Sequence, residues 1–155
     1  MFRVIFGDIT QVEADVIVNA ANTELKHGGG VARAIALKAG KELIEESKQI
    51  GFCEIGEVAV TTAGNLKAKK VFHVPTICYK TGRKASLKDI ERAFEKVCEL
   101  ALKFGYKKIA TPLLGAGVVG LDEKEVEKVI KKVAEKFEEL EIILVKYKKD
   151  HRNPT

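Results

Sequence analysis

Asn19 and Asn22 stand at the end of an apolar run, Val16-Ile-Val-Asn19-Ala-Ala-Asn22, and after a polar interval of five residues comes the run Gly28-Gly29-Gly30-Val31. A side-chain amide is a neutral group that both donates and accepts, which suits sugar hydroxyls. Ala32-Arg33-Ala34-Ile35-Ala36 follows the glycines and reads as the start of a helix. Backbone without side chains at a helix start lets several N–H groups approach one anion, and the helix dipole favours negative charge there. A tight turn with capping asparagines would use the same residue types. Three glycines beside two asparagines at a strand end favour the anion site.

A second glycine loop, Gly115-Ala116-Gly117-Val118-Val119-Gly120, matches the dinucleotide string Gly-x-Gly-x-x-Gly. Its context contradicts that reading. The fingerprint belongs to the first strand–helix turn of a longer unit, whereas only 35 residues follow Gly120. No acidic residue closes a strand about 20 positions on, where a ribose would need it. The chain also lacks Gly-x-x-x-x-Gly-Lys-Ser/Thr, which excludes phosphoryl transfer on a P-loop. What survives is a second backbone-donor loop at the carboxyl end of a strand, where open α/β sheets place ligands. Two such loops in one small domain suggest two adjacent phosphates.

Other candidate groups are few. Asp8, in the turn Gly7-Asp8-Ile9-Thr10, is placed to accept hydrogen bonds from a ligand or from its own turn. His27 is the titratable candidate between Asn22 and the glycines, Lys26 reads as solvated, and His73 reads as a satisfied core histidine inside a strand. Cys53, Cys78 and Cys98 are odd in number and show no Cys-x-x-Cys, so they read as buried, reduced thiols and not as a zinc site or disulfide framework. No metal and no cofactor is expected.

The elements that must position these groups alternate along the chain. Strands are expected at Phe2–Phe6, Asp15–Ala20, Gly56–Thr62, Lys70–Thr76 (closed by Pro75), Lys108–Leu114 and Ile142–Tyr147. Helices are expected after Gly30, closed by Gly40, and over Glu42–Gln49. A third opens at the capping box Ser86-Leu-Lys-Asp89, and a fourth at Asp122 with Glu125. The tail from Lys148 to Thr155 is polar and expected to fray. With no internal repeat and no linker, the reading is one domain over residues 1–155, a three-layer α/β/α fold.

At 155 residues the chain is long enough to bury about two-thirds of its unfolded surface. Its 46% hydrophobic and 32% charged residues describe a folded globular protein. No apolar run approaches the roughly 20 residues of a membrane helix. The N-terminus enters a strand pattern directly, so the expectation is a cytoplasmic protein without a signal peptide. A net charge of +5 suits a phosphate-bearing partner without choosing between nucleotide and nucleic acid. Dense Lys and Glu with no Trp is a thermophile-like composition.

Gly7-Asp8-Ile9-Thr10, Val18-Asn19-Ala20-Ala21-Asn22, Gly28–Val31 and Gly115–Gly120 stand in the order and spacing of the macro domain, which the chain resembles from about Phe2 to Tyr147. The resemblance implies a mixed central sheet of about six strands between helices, with ADP-ribose in a cleft at the strand ends. It implies that Asp8 accepts from the adenine amino group, that the Ile9 N–H meets the ring, and that Tyr147 stacks on it. Asn22 would hold the distal ribose. Gly29, Gly30 and Val31, with Gly115, Ala116, Gly117, Val118 and Val119, would wrap the diphosphate and that ribose.

Two positions depart from the family pattern. Ala32 replaces an aspartate that some family hydrolases carry, and Val119 replaces an aromatic that packs on the distal ribose in many members. Without a dedicated nucleophile or base, the implied chemistry is substrate-assisted hydrolysis of a distal-ribose substituent. Candidate substrates are ADP-ribose 1''-phosphate, O-acetyl-ADP-ribose and a mono-ADP-ribosylated protein, with Asn22, and His27 behind it, as the catalytic candidates. Ala32 and Val119 favour the alternative, a non-catalytic module binding ADP-ribose or poly(ADP-ribose). Nucleic acid is a third partner class, supported by the charge and the Lys146-Tyr-Lys-Lys149 end.

Overall fold

Val16, Ile17 and Val18 are each fully buried, which a strand achieves only when both faces of its sheet are covered. They open β2 (Val16–Asn22), a central strand of a computed structural model that describes residues 1–147. The tail expected from Lys148 onward lies outside the described residues. β2 pairs in parallel with β4 (Lys70–Cys78) on one side and β6 (Lys108–Thr111) on the other. Beyond β6 come β7 (Glu141–Tyr147) and the edge strand β1 (Phe2–Gly7), both parallel. β3 (Ala59–Thr62) and the two-residue β5 (Arg83–Lys84) run antiparallel to β4. The order is β1-β7-β6-β2-β4-β3, with β5 off the end of β4, making seven strands.

Side chains alternate across this sheet and so build two cores. On one face Val16, Val18, Phe72, Val74, Ile109, Ile142 and Leu144 meet the apolar stripes of α3 (Leu87–Lys103) and α4 (Glu123–Ala134). On the other, Ile17, Val71, Ala110, Ile143 and Val145 meet α1 (Gly30–Ala39) and α2 (Lys41–Ile50). The result is the expected three-layer fold. No helix among the described residues is long and apolar enough to cross a membrane.

Helix starts differ in a way that matters for the site. α3 opens on a full capping box, Ser86 accepting from the Asp89 N–H and Asp89 from the Ser86 N–H. α4 opens on Asp122, which accepts from the N–H groups of Lys124 and Glu125. α1 opens on Gly29 and has no side-chain cap.

Strand ends depart from the sequence reading for identifiable reasons. The expected close of β4 at Pro75 is not observed: the strand runs to Cys78, and β2 runs to Asn22 beside it. The register skips one residue here, Ala21 facing Pro75 and Asn22 facing Ile77. Proline has no N–H for the ladder, and a bulge absorbs the defect. The Thr76 hydroxyl, at the skipped position, donates to the Ala21 carbonyl at 3.4 Å. β6 is shorter than expected because Pro112 follows Thr111. β3 begins three residues late, after a turn in which the Glu57 N–H bonds the Glu54 carbonyl and Gly56 has a φ of +95°. β5, a pair of exposed residues, carries no periodic signal. Five parallel strands, β1, β7, β6, β2 and β4, thus end on one side of the molecule.

Candidate functional site

Where these five strands end, the loops carry nearly every residue singled out in the sequence. At about 4.8 Å per strand gap, the row from β1 to β4 is roughly 19 Å long. Asp8 follows β1, and Tyr147 ends β7 beside it. The loop 112–121 follows β6, and the loop 23–29 follows the neighbouring β2. The two glycine loops are therefore side by side, with an acidic and aromatic end to one side of them.

Each glycine loop presents backbone donors. An α-helix leaves its first N–H groups without intrahelical partners, and α1 has no side chain to take them. In the second loop the Leu121 N–H closes onto the Gly115 carbonyl at 2.9 Å, and the Gly120 N–H onto the Gly117 carbonyl at 3.0 Å. Gly117, Val118 and Val119 lie inside that closure, and their N–H groups have no partner among the described residues. Successive free amides of this kind form a concave anion site. Gly115 is required by shape: its φ is +80°, and a Cβ there would lie 2.7 Å from a Leu121 methyl. At Gly28, Gly29 and Gly117 a Cβ would meet nothing within 4 Å, and none of the three has a positive φ.

Asn22 staples the first loop. Its carbonyl oxygen accepts from the Lys26 N–H at 3.0 Å, and its amide donates to the Lys26 carbonyl at 2.6 Å. One further N–H and one further lone pair remain on the amide for a ligand. The turn it spans holds Leu25 at a φ of +57°, a strained value for a leucine, kept by burying that side chain with Ala21, Cys53 and Ala59. Asn22, Glu24, Lys26, Gly28, Gly29 and Tyr79 line a cleft of about 380 Å³. Glu24 is ion-paired to Lys26 at 3.7 Å and to Lys80 at 3.2 Å across its rim.

Asp8 uses one carboxylate oxygen for its own turn, accepting from the Thr10 N–H at 2.9 Å and the Thr10 hydroxyl at 2.7 Å. Its other oxygen has no partner among the described residues. Ile9 is buried beneath it. Tyr147 is 75% exposed and continues the alternation of Ile143 and Val145, so its ring stands on the α1/α2 side of the strand ends. Of the basic end, Lys146 is held by Glu127 at 2.7 Å, while Lys148 and Lys149 lie outside the described residues. Ala32 is buried in the first turn of α1, and Val119 is partly buried in its loop.

Two sequence candidates do not face the cleft. Asn19 is fully buried and bonds the Nδ1 of His73 at 3.0 Å, so only one of the paired asparagines reaches a ligand. His27 points its Nε2 at Ser47 on α2, 3.0 Å away, and its Nδ1 is buried. Neither ring nitrogen is presented as a base. His73 is the core histidine expected, and burial, with His27 close by, holds its pKa down to about 3.

Sequence reading missed Tyr79 and Cys78. With β4 ended at Pro75 they fall into a connecting loop; in the structure Cys78 is the last residue of β4 and Tyr79, 63% exposed, lines the cleft. Cys78, expected to be buried, is half-exposed, and its polar surroundings at Thr23, Thr81 and Lys80 bring its thiol down to about 7. Burial pushes Cys53 up to about 11 and Cys98 up to about 12. A tyrosine four residues past the proline that interrupts the strand was the available signal.

Known proteins share this fold. The family model described as Macro domain matches residues 18–130. An uncharacterized protein of Pyrobaculum aerophilum is 46% identical over 121 residues, which is 74% of this chain; the chain spans 63% of that relative's length. A protein of Escherichia fergusonii named O-acetyl-ADP-ribose deacetylase is 38% identical over 139 residues, 87% of this chain and 78% of the relative. The solved structure of the Oceanobacillus iheyensis macrodomain with ADP superposes with a TM-score of 0.85 at 24% identity, covering 94% of this chain and 83% of that one.

Proposed function

The chain belongs to the macro domain family, and from that membership we propose that it binds ADP-ribose along the strand-end row and hydrolyses a substituent on the distal ribose. The observation that carries this reading is the adjacency of two loops with unpartnered N–H groups, one at the start of α1 and one at Gly117–Val119. Two neighbouring anion sites suit a diphosphate, and a row of roughly 19 Å leaves room for a nucleoside at one end and a sugar at the other. Asp8 and Tyr147 take the adenine at the β1/β7 end. Asn22 holds the distal ribose at the β2 end. The O-acetyl-ADP-ribose deacetylase named above supports a hydrolase in general.

Among the described residues lining the cleft the one carboxylate, Glu24, is tied to Lys26 and Lys80, and there is no imidazole or thiol, so the chemistry rests on the substrate. The bound diphosphate orients and polarises a water toward the distal-ribose substituent. Asn22 fixes that ribose, and the loop N–H groups stabilise the charge that develops. A carboxylic ester, a phosphate monoester or a ribosylated carboxylate all present an electrophilic centre at the same place.

The test is product release from O-acetyl-ADP-ribose, ADP-ribose 1''-phosphate and a mono-ADP-ribosylated protein. Turnover of at least one is expected. Asn22→Ala should slow it by roughly a hundredfold, about 2.7 kcal/mol, with a smaller loss of ADP-ribose affinity. A wild-type protein that binds ADP-ribose and releases product from none of the three is a binding module. Ala32 and Val119 are the residues that favour that second reading.

A further inference from the structure

Two imidazoles stack at the root of the first glycine loop. His27 lies on His73 with ring centroids 5.0 Å apart and planes 18° from parallel. The hydroxyl of Ser47 has one proton, which goes to the Leu43 carbonyl at 2.9 Å. Its oxygen therefore accepts from His27 Nε2–H at 3.0 Å. Thr61 repeats the arrangement, donating to the Thr62 carbonyl at 3.0 Å and accepting from His73 Nε2–H at 2.9 Å. His73 Nδ1 is then the acceptor for the Asn19 amide. Both rings are neutral Nε2–H tautomers.

His27 Nδ1 is left over, buried and without a hydrogen-bond partner among the described residues. With His73 Nδ1 already taken by the Asn19 amide, the first proton enters the stack there, against a second imidazole and facing no acceptor. Burial accordingly lowers the pKa of His27 from its ordinary 6.5. Around the ring stand His73 from β4 and Ser47 from α2, with Asn19 of β2 and Thr61 of β3 behind them. Among these only His73 titrates, and it stays neutral. Within the loop itself, Glu24 is half-buried and paired with Lys26 and with Lys80. The stack thus joins three strands and α2 to the residue that immediately precedes Gly28.

We propose that His27 is a positioning residue, a neutral stacked latch that holds Gly28–Val31 where their N–H groups converge on the diphosphate and that lets the loop go when it is protonated. This rests on the ADP-ribose reading of the site. Protonation would leave a buried donor unpaired, a penalty relieved by swinging the ring to water and carrying Gly28 with it.

The test pairs ligand binding with a ligand-free measurement, both within the pH range where circular dichroism shows a folded protein. By calorimetry, wild-type affinity for ADP-ribose should fall about tenfold between pH 7.5 and 5. His27→Gln keeps an N–H for Ser47 and cannot be protonated, so it should restore binding at pH 7.5 and stay within about twofold across the range. His27→Ala should bind about tenfold more weakly at every pH. Without ligand, amide hydrogen exchange over residues 24–31 should speed up in His27→Ala, and in the wild type at pH 5 after correction for intrinsic rates, but not in His27→Gln. Folded His27→Ala that binds and exchanges like wild type overturns the latch. If that variant does not fold, a His27→Gln profile identical to the wild-type profile overturns it. A wild type that ignores ADP-ribose at pH 7.5 removes the ligand reading, and the exchange measurement still decides the latch.

Discussion

Asn19 and Asn22 lie three positions apart on one strand and have opposite fates. Alternation turns Asn19 into the α1/α2 side of the core, where its amide nitrogen donates to His73, while the bulge at Pro75 accompanies Asn22 out to the strand end. An odd separation puts the two on opposite faces by alternation alone; which of them reaches the strand end was not legible, because that depends on how far β2 pairs with β4. His27 misled for a related reason. Its position beside the glycines suggests a base, but a ring that packs on His73 and bonds Ser47 has no nitrogen left for the cleft. Asp8 sits at a turn and reaches outward as expected, with one oxygen spent on Thr10. If its second oxygen accepts from the adenine amino group, Asp8→Ala should weaken ADP-ribose binding by about 1.5–3 kcal/mol, the range for a hydrogen bond to a charged group. Calorimetry on the folded variant checks this, and unchanged affinity would reduce Asp8 to a turn-former.

The starts of the strongly periodic helices α3 and α4 were readable to the residue, because their caps Ser86 and Asp122 are explicit in the sequence. Short elements were not: β5 has two exposed residues and exists only because β4 passes Pro75 to meet it. The two glycine loops are the elements on which the proposed function depends. Because Gly29 and Gly117 have ordinary φ values and open space where a Cβ would project, valine there should leave the fold intact and obstruct the phosphates. Gly29→Val and Gly117→Val are each expected to abolish measurable ADP-ribose binding while the melting temperature changes little. A valine variant that binds normally would make its loop a turn and nothing more.

The sheet also makes an acid prediction. His73 has a folded pKa of about 3 against an ordinary 6.5, so the unfolded chain takes up its proton first. Its contribution to stability is complete above about pH 6.5 and is lost as pH falls toward 3. Urea titrations should show stability declining across that window, with a shallower decline in a His73→Gln variant. Equal slopes in the two proteins would contradict the buried neutral tautomer.

At the scale of the whole molecule, the three-layer α/β/α arrangement was implied by the alternation of strands and helices, and the seventh strand and the exact strand ends depend on tertiary pairing. The consequence of that pairing is a single row in which Asp8 and Tyr147, then the Gly115–Gly120 loop, then Asn22 with its glycine loop follow in spatial order, although in sequence they are scattered from Asp8 to Tyr147. A ligand of that length is recognised by contacts along the row, and a single diphosphate should give only a mild dependence on salt, unlike a polyanion. The most direct measurement is calorimetric titration with ADP-ribose and with AMP under one set of conditions. The second phosphate and the distal ribose should make ADP-ribose at least tenfold tighter, about 1.4 kcal/mol; equal affinity for the two would contradict the assignment of both glycine loops to one diphosphate.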